Sequence, residues 1–242
     1  MNFLANFLSG LSLLFGFMSL IFSLESHFTF AAGAILLSVL FDGLDGQVAR
    51  LNSVPSDFGK ELDSLGDVVS FGIAPAILGY VFIYKDFHIW AASALFMYLA
   101  CSVFRLAKYN ITPKEEMADY FIGLPTTASG AILASFVLIY RKQDAMEVPA
   151  FIPVVLSPRF TPFIFVCIVL VLSFLMVSRV PYLNLDGLKQ LFGRWTKIVI
   201  AGLVVILVAA GYFGKFGFAL FTIFLIYLLF SPFVVKRLGK AK

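Results

Sequence analysis

Residues 28–67 read FTFAAGAILLSVLFDGLDGQVARLNSVPSDFGKELDSLGD, and this stretch decides the fold. It runs from an apolar segment into a group of acids, crosses a short polar link and enters a second acidic segment. Asp42, Asp45, Gly46 and Ala49 fall at i, i+3, i+4 and i+7, one stripe of an α-helix. Gly59, Asp63 and Asp67 fall at i, i+4 and i+8, again one stripe, with Gly66 and Ser70 beside it. The link from Leu51 to Asp57 contains Asn52, Pro55 and Ser56, a turn composition, and Ser56 or Asp57 suits the N-cap of the second helix. So short a link makes the two helices antiparallel neighbours with their acids at one depth. A solvated acidic loop has no need of glycines at helical spacing, nor of Phe58, Leu62, Leu65 and Val68 between its acids.

Outward from this stretch the chain is greasy. Of its 242 residues 61% are hydrophobic, and the mean hydropathy is +0.97. That composition belongs to an all-α integral membrane protein. Eight segments approach the ~20 residues needed to span a bilayer: 7–24, 29–49, 58–84, 88–109, 121–140, 161–179, 196–213 and 217–235. Residues 2–9 read as a short helix along the membrane surface. The first apolar segment lacks a basic leader and a small-residue cleavage pattern, so it reads as a retained span. Most of the 18 Lys and Arg residues lie on the side of the acidic motif if both termini are cytoplasmic, which puts the motif there too. The net charge of +4 is dispersed among loops, which fits anionic headgroups and gives no nucleic-acid surface. Cys101 and Cys167 sit in apolar runs and read as buried small hydrophobes. His27 and His88 fall in outer loops, away from the acids, and receive no chemistry.

One Asp at the centre of a membrane helix costs ~3 kcal/mol on insertion scales. Four near one membrane face need an opposing charge, and hard carboxylate oxygens suit divalent magnesium, manganese or calcium.

The pattern D-G-x2-D-G-x2-A-R-x8-G-x3-D-x3-D maps without a gap onto Asp42, Gly43, Asp45, Gly46, Ala49, Arg50, Gly59, Asp63 and Asp67. It resembles the signature of the CDP-alcohol phosphotransferases. The resemblance implies a six-helix catalytic core, a homodimer, and an enzyme of the cell membrane that joins the phosphate of a CDP-linked donor to an alcohol with release of CMP. It implies two divalent cations, Mg2+ or Mn2+ with Ca2+ as a further candidate, held by Asp42, Asp45, Asp63 and Asp67. Asp67 is also implied as general base. Gly43, Gly46, Ala49, Arg50 and Gly59 are implied at the CDP-lipid, with Arg50 on donor phosphate. Asn6 joins them because Ala5-Asn6-Phe7-Leu8-Ser9 is similar to a family stretch, with Ala for Pro and Ser for Thr.

Arg105-Leu106-Ala107-Lys108-Tyr109-Asn110 and Gly123-Leu124-Pro125 resemble the branch of that family whose acceptor is L-serine, and Ser178 adds to the likeness. Residues 1–182 are then the catalytic core, and 183–242 add two C-terminal transmembrane helices. Arg105 and Asp63 each lie about five residues from the motif-side end of their helices, hence at similar depth. Arg105 therefore serves as the candidate for the serine carboxylate, and Asn110 as a second serine-binding residue. The alternative for Arg105 is an interfacial snorkelling cation, the reading preferred for Lys108. The donor is CDP-diacylglycerol or its ether-lipid counterpart CDP-archaeol. Two further alternatives remain: a sister enzyme using glycerol 3-phosphate or inositol phosphate, and a divalent-cation transporter. A transporter calls for acids spread through the membrane depth, which the other spans lack.

Overall fold

A computed structural model describes residues 3–51, 57–112, 120–142, 160–212 and 215–240. Among these the protein forms nine α-helices and one two-stranded antiparallel ribbon. The helices are α1 (Phe3–Leu24), α2 (Phe28–Leu51), α3 (Asp57–Asp67), α4 (Ala74–Ile111), α5 (Thr126–Lys142), α6 (Thr161–Val177), α7 (Leu185–Phe192), α8 (Thr196–Tyr212) and α9 (Phe216–Lys240). The strands are β1 (Tyr120–Ile122) and β2 (Pro181–Leu183), with Phe121 opposite Tyr182 and Tyr120 opposite Leu183.

The all-α membrane class holds. Five segments are long and apolar enough to cross a bilayer: Phe3–Leu24, Phe28–Val48, Phe58–Ile83, Ile89–Ile111 and Phe216–Val235. Three shorter apolar helices, Thr126–Tyr140, Thr161–Val177 and Ala201–Tyr212, accompany them. Length alone thus supports five spans among the described residues and leaves the other three of the expected eight short of that criterion.

The seam between α1 and its neighbours is built from small residues. Ala5, Ser9, Ser12, Gly16, Ser19 and Ser23 are the buried positions of α1, recurring every three or four residues along one face. Small side chains let backbones approach, the usual solution where lipid leaves no hydrophobic drive between helices. Ser12 and Ser38 pair hydroxyl to hydroxyl at 2.8 Å, and the Ser38 hydroxyl also donates to the Ser12 carbonyl at 2.9 Å. The Ser70 hydroxyl donates to the same carbonyl at 3.1 Å. A Cβ on Gly16 would lie 2.7 Å from the Ser70 Cα, so only glycine permits this crossing. α1 is thereby fastened to α2, which carries Asp42 and Asp45, and to the segment directly after Asp67.

Between α3 and α4 the chain makes a π-helical turn, Val68–Ile73, directly after Asp67. Such turns free a backbone carbonyl from the ladder. Here Tyr98 donates its hydroxyl to the Phe71 carbonyl at 2.9 Å and also meets the Ser129 hydroxyl at 3.0 Å. In a straight helix Phe71 and Tyr98 would lie ~40 Å apart at 1.5 Å per residue. A Cβ on Gly79 would likewise meet the Leu95 side chain. The helical backbone of α4 therefore doubles back between Ile83 and Ile89, and the expected spans 58–84 and 88–109 are the two antiparallel limbs.

Two sequence expectations are corrected. Residues 3–9 continue α1 as one helix and do not form a separate surface helix. The expected fifth span begins at Thr126 and not at residue 121, because Tyr120–Ile122 is a strand. Gly123 then turns with φ +80°, a left-handed backbone where a Cβ would strike the Met176 carbonyl. In addition, the amphipathic α7 stands ahead of the last two helices, capped by the Asn184 side chain accepting from the Gly187 N–H at 2.7 Å.

Candidate active site

Helical spacing on α2 and α3 delivers the acids to one place. Carboxylate oxygens of Asp42, Asp63 and Asp67 all lie within 4.8 Å of one another. They open into a cavity of about 320 Å³ that Asp45, Gly43, Gly46, Lys60, Arg105 and Asn110 also line. Asp45 stands apart from the trio. Its carboxylate is buried and one oxygen has no hydrogen-bond partner.

The electrostatics decide what this cavity can hold. At such spacing each pair of carboxylates repels by about 3 kcal/mol for an effective dielectric near 20. Arg105 and Lys60 are the cations at the wall. Among the described residues neither makes an ion pair with the acids. The Lys60 ammonium donates to the Asn110 carbonyl at 3.0 Å instead. The acids thus have no ion-pair partner at the wall, and the contact between Asp42 and Asp67 is carboxyl to carboxyl. Three convergent hard-oxygen donors plus an orphaned fourth fit a divalent-cation centre.

Opposite the acids stands Arg105, from the second limb of α4. It is only 8% exposed. One terminal nitrogen donates to the Thr126 hydroxyl at a long 3.4 Å, its Nε has no partner, and its guanidinium lies 5.9 Å from the Tyr109 ring centre. Leaving a buried charged donor unpaired is costly. The arrangement suits a ligand that arrives carrying an anion. Phe121 packs its ring against Tyr109 at 6.1 Å and completes this wall together with Pro125 and Thr126.

The other sequence candidates distribute as follows. Gly43 and Gly46 face open space, since a Cβ at either would meet nothing within 4 Å. Asn110 lines the cavity, but its side-chain amide already donates to the Ser64 hydroxyl at 2.8 Å, clasping α4 to α3. Asn6 sits one turn before Ser9 on α1, with its amide nitrogen buried and unpartnered, and it is not part of the cavity wall. Gly59 lies in α3, one turn before Asp63, also off the wall. Ala49 and Arg50 belong to the last turn of α2, and their side chains lie outside the described part of the structure. Ser178 closes the turn into β2, donating to the Leu175 carbonyl at 2.8 Å.

Sequence reasoning missed Lys60, Ser64 and Phe121 as wall residues. Lys60 falls inside the expected span 58–84. Its position one turn before Ser64 on the acid-bearing helix was the signal that could have found both.

The sequence pattern of the CDP-alcohol phosphatidyltransferase family matches residues 2–157. The chain belongs to that family. It is 30% identical over 184 residues to the CDP-diacylglycerol--serine O-phosphatidyltransferase of Helicobacter pylori (strain ATCC 700392 / 26695), covering 76% of this chain and 73% of that protein. It is 32% identical over 196 residues to the archaetidylserine synthase of Methanothermobacter thermautotrophicus, covering 76% and 71%. Over a shorter 103 residues it is 44% identical to the CDP-diacylglycerol--serine O-phosphatidyltransferase of Methanocaldococcus jannaschii, 42% of this chain and 47% of the relative.

Proposed function

We propose that the protein transfers a phosphatidyl group from CDP-diacylglycerol, or from its ether-lipid counterpart CDP-archaeol, to the hydroxyl of L-serine with release of CMP. The observation that carries this reading is the shared cavity. The Asp42, Asp63 and Asp67 carboxylates converge on one wall, and a buried Arg105 with an unpartnered Nε stands on another. Family membership and the names of the relatives support the same choice.

Asp42, Asp45, Asp63 and Asp67 are the residues that would hold two divalent cations, Mg2+ or Mn2+ with Ca2+ as a further candidate. When bound, such ions supply the Lewis-acid charge that a pyrophosphate needs among four carboxylates. The chain's own residues do the rest. Open space over Gly43 and Gly46 admits the nucleotide diphosphate to the backbone of α2. Arg50, Ala49, Gly59 and Asn6 are assigned to the donor side on the family pattern. Arg105 takes the serine carboxylate in a forked contact, which its planar guanidinium suits better than an ammonium would. Asp67 accepts the proton of the serine hydroxyl. The oxygen so released attacks the lipid-linked phosphorus, the bond from that phosphorus to the CMP oxygen breaks, and CMP departs with the bonding pair. Asn110 acts from the clasp with Ser64, setting the acceptor side of the cavity.

On this reading residues 1–182 are the catalytic core. The enzyme is a multi-pass homodimer of the cell membrane with its site and both termini on the cytoplasmic side, which the loop charge asymmetry supports. CMP release from purified protein given Mn2+ or Mg2+, CDP-diacylglycerol and a panel of alcohols tests the assignment. Turnover with serine is expected. Turnover with glycerol 3-phosphate or inositol phosphate and none with serine overturns it.

A further inference from the structure

The family pattern ends at residue 157, yet the acceptor wall of the cavity is tied to a helix far beyond it. β1 carries Phe121 into the wall, and the chain leaves β1 through Gly123 to reach Pro125 and Thr126. The fixed partner of β1 is β2. β2 in turn is gripped by α9 at a single residue, through both its N–H and its carbonyl. The Ser231 hydroxyl accepts from the Leu183 N–H, and the Tyr227 hydroxyl donates to the Leu183 carbonyl at 3.0 Å. The Tyr227 ring also lies 5.8 Å from the ring of Tyr182, which is fully buried.

We infer that α9 is the brace of the acceptor pocket, with Tyr227 and Ser231 as positioning residues that hold the β1–β2 ribbon, and through it Phe121, Thr126 and Arg105, in register for the incoming alcohol. Helix α9 packs on α5, on β2 and on α8, none of which carries an acid of the trio. Its direct influence therefore falls on the acceptor half of the reaction. This inference rests on the proposed reaction only in naming serine as the acceptor; the brace itself is defined for whichever alcohol the enzyme uses.

The test compares Tyr227→Phe and Ser231→Ala, each of which removes one hydroxyl from the grip, with Ser231→Thr, which keeps it. Steady-state kinetics of the purified full-length chain separate the acceptor KM from the donor KM. Each hydroxyl deletion should raise the acceptor KM about fivefold, the effect of one hydrogen bond of ordinary strength. The donor KM and the Mn2+ affinity, read by electron paramagnetic resonance, should stay within about twofold of wild type on the same scale, and Ser231→Thr should restore the acceptor KM. An unchanged acceptor KM overturns the brace. So does a parallel rise in donor and acceptor KM, or a loss of Mn2+ binding, because either makes α9 a general scaffold. If wild type uses another alcohol in place of serine, the serine reading fails while the brace is judged on that alcohol's KM.

Discussion

The two walls of the cavity are built in opposite ways. The acidic wall comes from 26 consecutive residues, Asp42 to Asp67, on two adjoining helices. Helical periodicity alone aims its side chains. The acceptor wall gathers Arg105, Asn110, Phe121 and Thr126 from α4, β1 and α5, and its support reaches on to Tyr227 in α9. The first wall depends on local spacing, the second on tertiary contacts between distant segments. The difference is one of construction: a wall set by helical spacing stands on its own two helices, whereas a wall gathered from several elements stands only as well as the contacts among them.

The largest expected effect breaks the acidic wall. Asp67→Asn should lower CMP release by roughly 10²- to 10⁴-fold, the range for removing a general base. CDP-lipid binding, measured by equilibrium titration at saturating Mn2+, should fall far less than turnover, since the amide fills the same space and still offers the ion an oxygen but takes no proton. Near-normal turnover would remove Asp67 as base.

Next comes the acceptor wall. Arg105→Ala should raise the serine KM about 10- to 100-fold, as expected for losing hydrogen bonds to a charged group, with the donor KM nearly constant. Equal rises in both would reduce Arg105 to a structural cation and erase the contrast between the walls.

A third change tests the seam that holds the acidic wall together. Gly16→Ala gains helix propensity but puts a methyl against the Ser70 backbone. Overpacking should win, with a loss of about 1–3 kcal/mol, read as a lower Tm in detergent. An unchanged or higher Tm would mean that α1 and the π-turn part easily. The smallest effect on stability belongs to Gly43→Ala, where the new methyl meets nothing within 4 Å. Its Tm should match wild type or rise slightly, by the helix propensity alanine adds, while the donor KM rises, and an unaltered donor KM would take the nucleotide away from this stretch of α2.

Much of this was legible in the sequence. The spacing of Asp42, Asp63 and Asp67 foretold their convergence, and the depth argument put Arg105 beside them. Asp45 shares the helical stripe of Asp42 but stands outside the trio, because a stripe fixes direction and not distance. What stayed hidden has physical reasons. The π-turn after Asp67 leaves no mark in hydropathy, since Val68–Ile73 is as apolar as the spans around it. Tyr120–Ile122 is too short for a strand period to register, and it exists only because Pro181–Leu183 lies alongside. Asn110 looked free to meet substrate, yet Ser64 sits 46 residues earlier and takes its amide. Lys60 was seen as a charge and not as a wall, because its partner is a backbone carbonyl on another helix.

The central claim is that α2 and α3 jointly hold divalent metal through their aspartates. Mn2+ binding to the detergent-purified chain, followed by electron paramagnetic resonance, tests it without any turnover. Wild type should bind Mn2+, and Asp42→Asn on α2 and Asp63→Asn on α3 should each weaken that binding at least about tenfold, since losing even an outer partner of a metal ligand costs that much. Wild-type Mn2+ affinity in both variants would contradict the account.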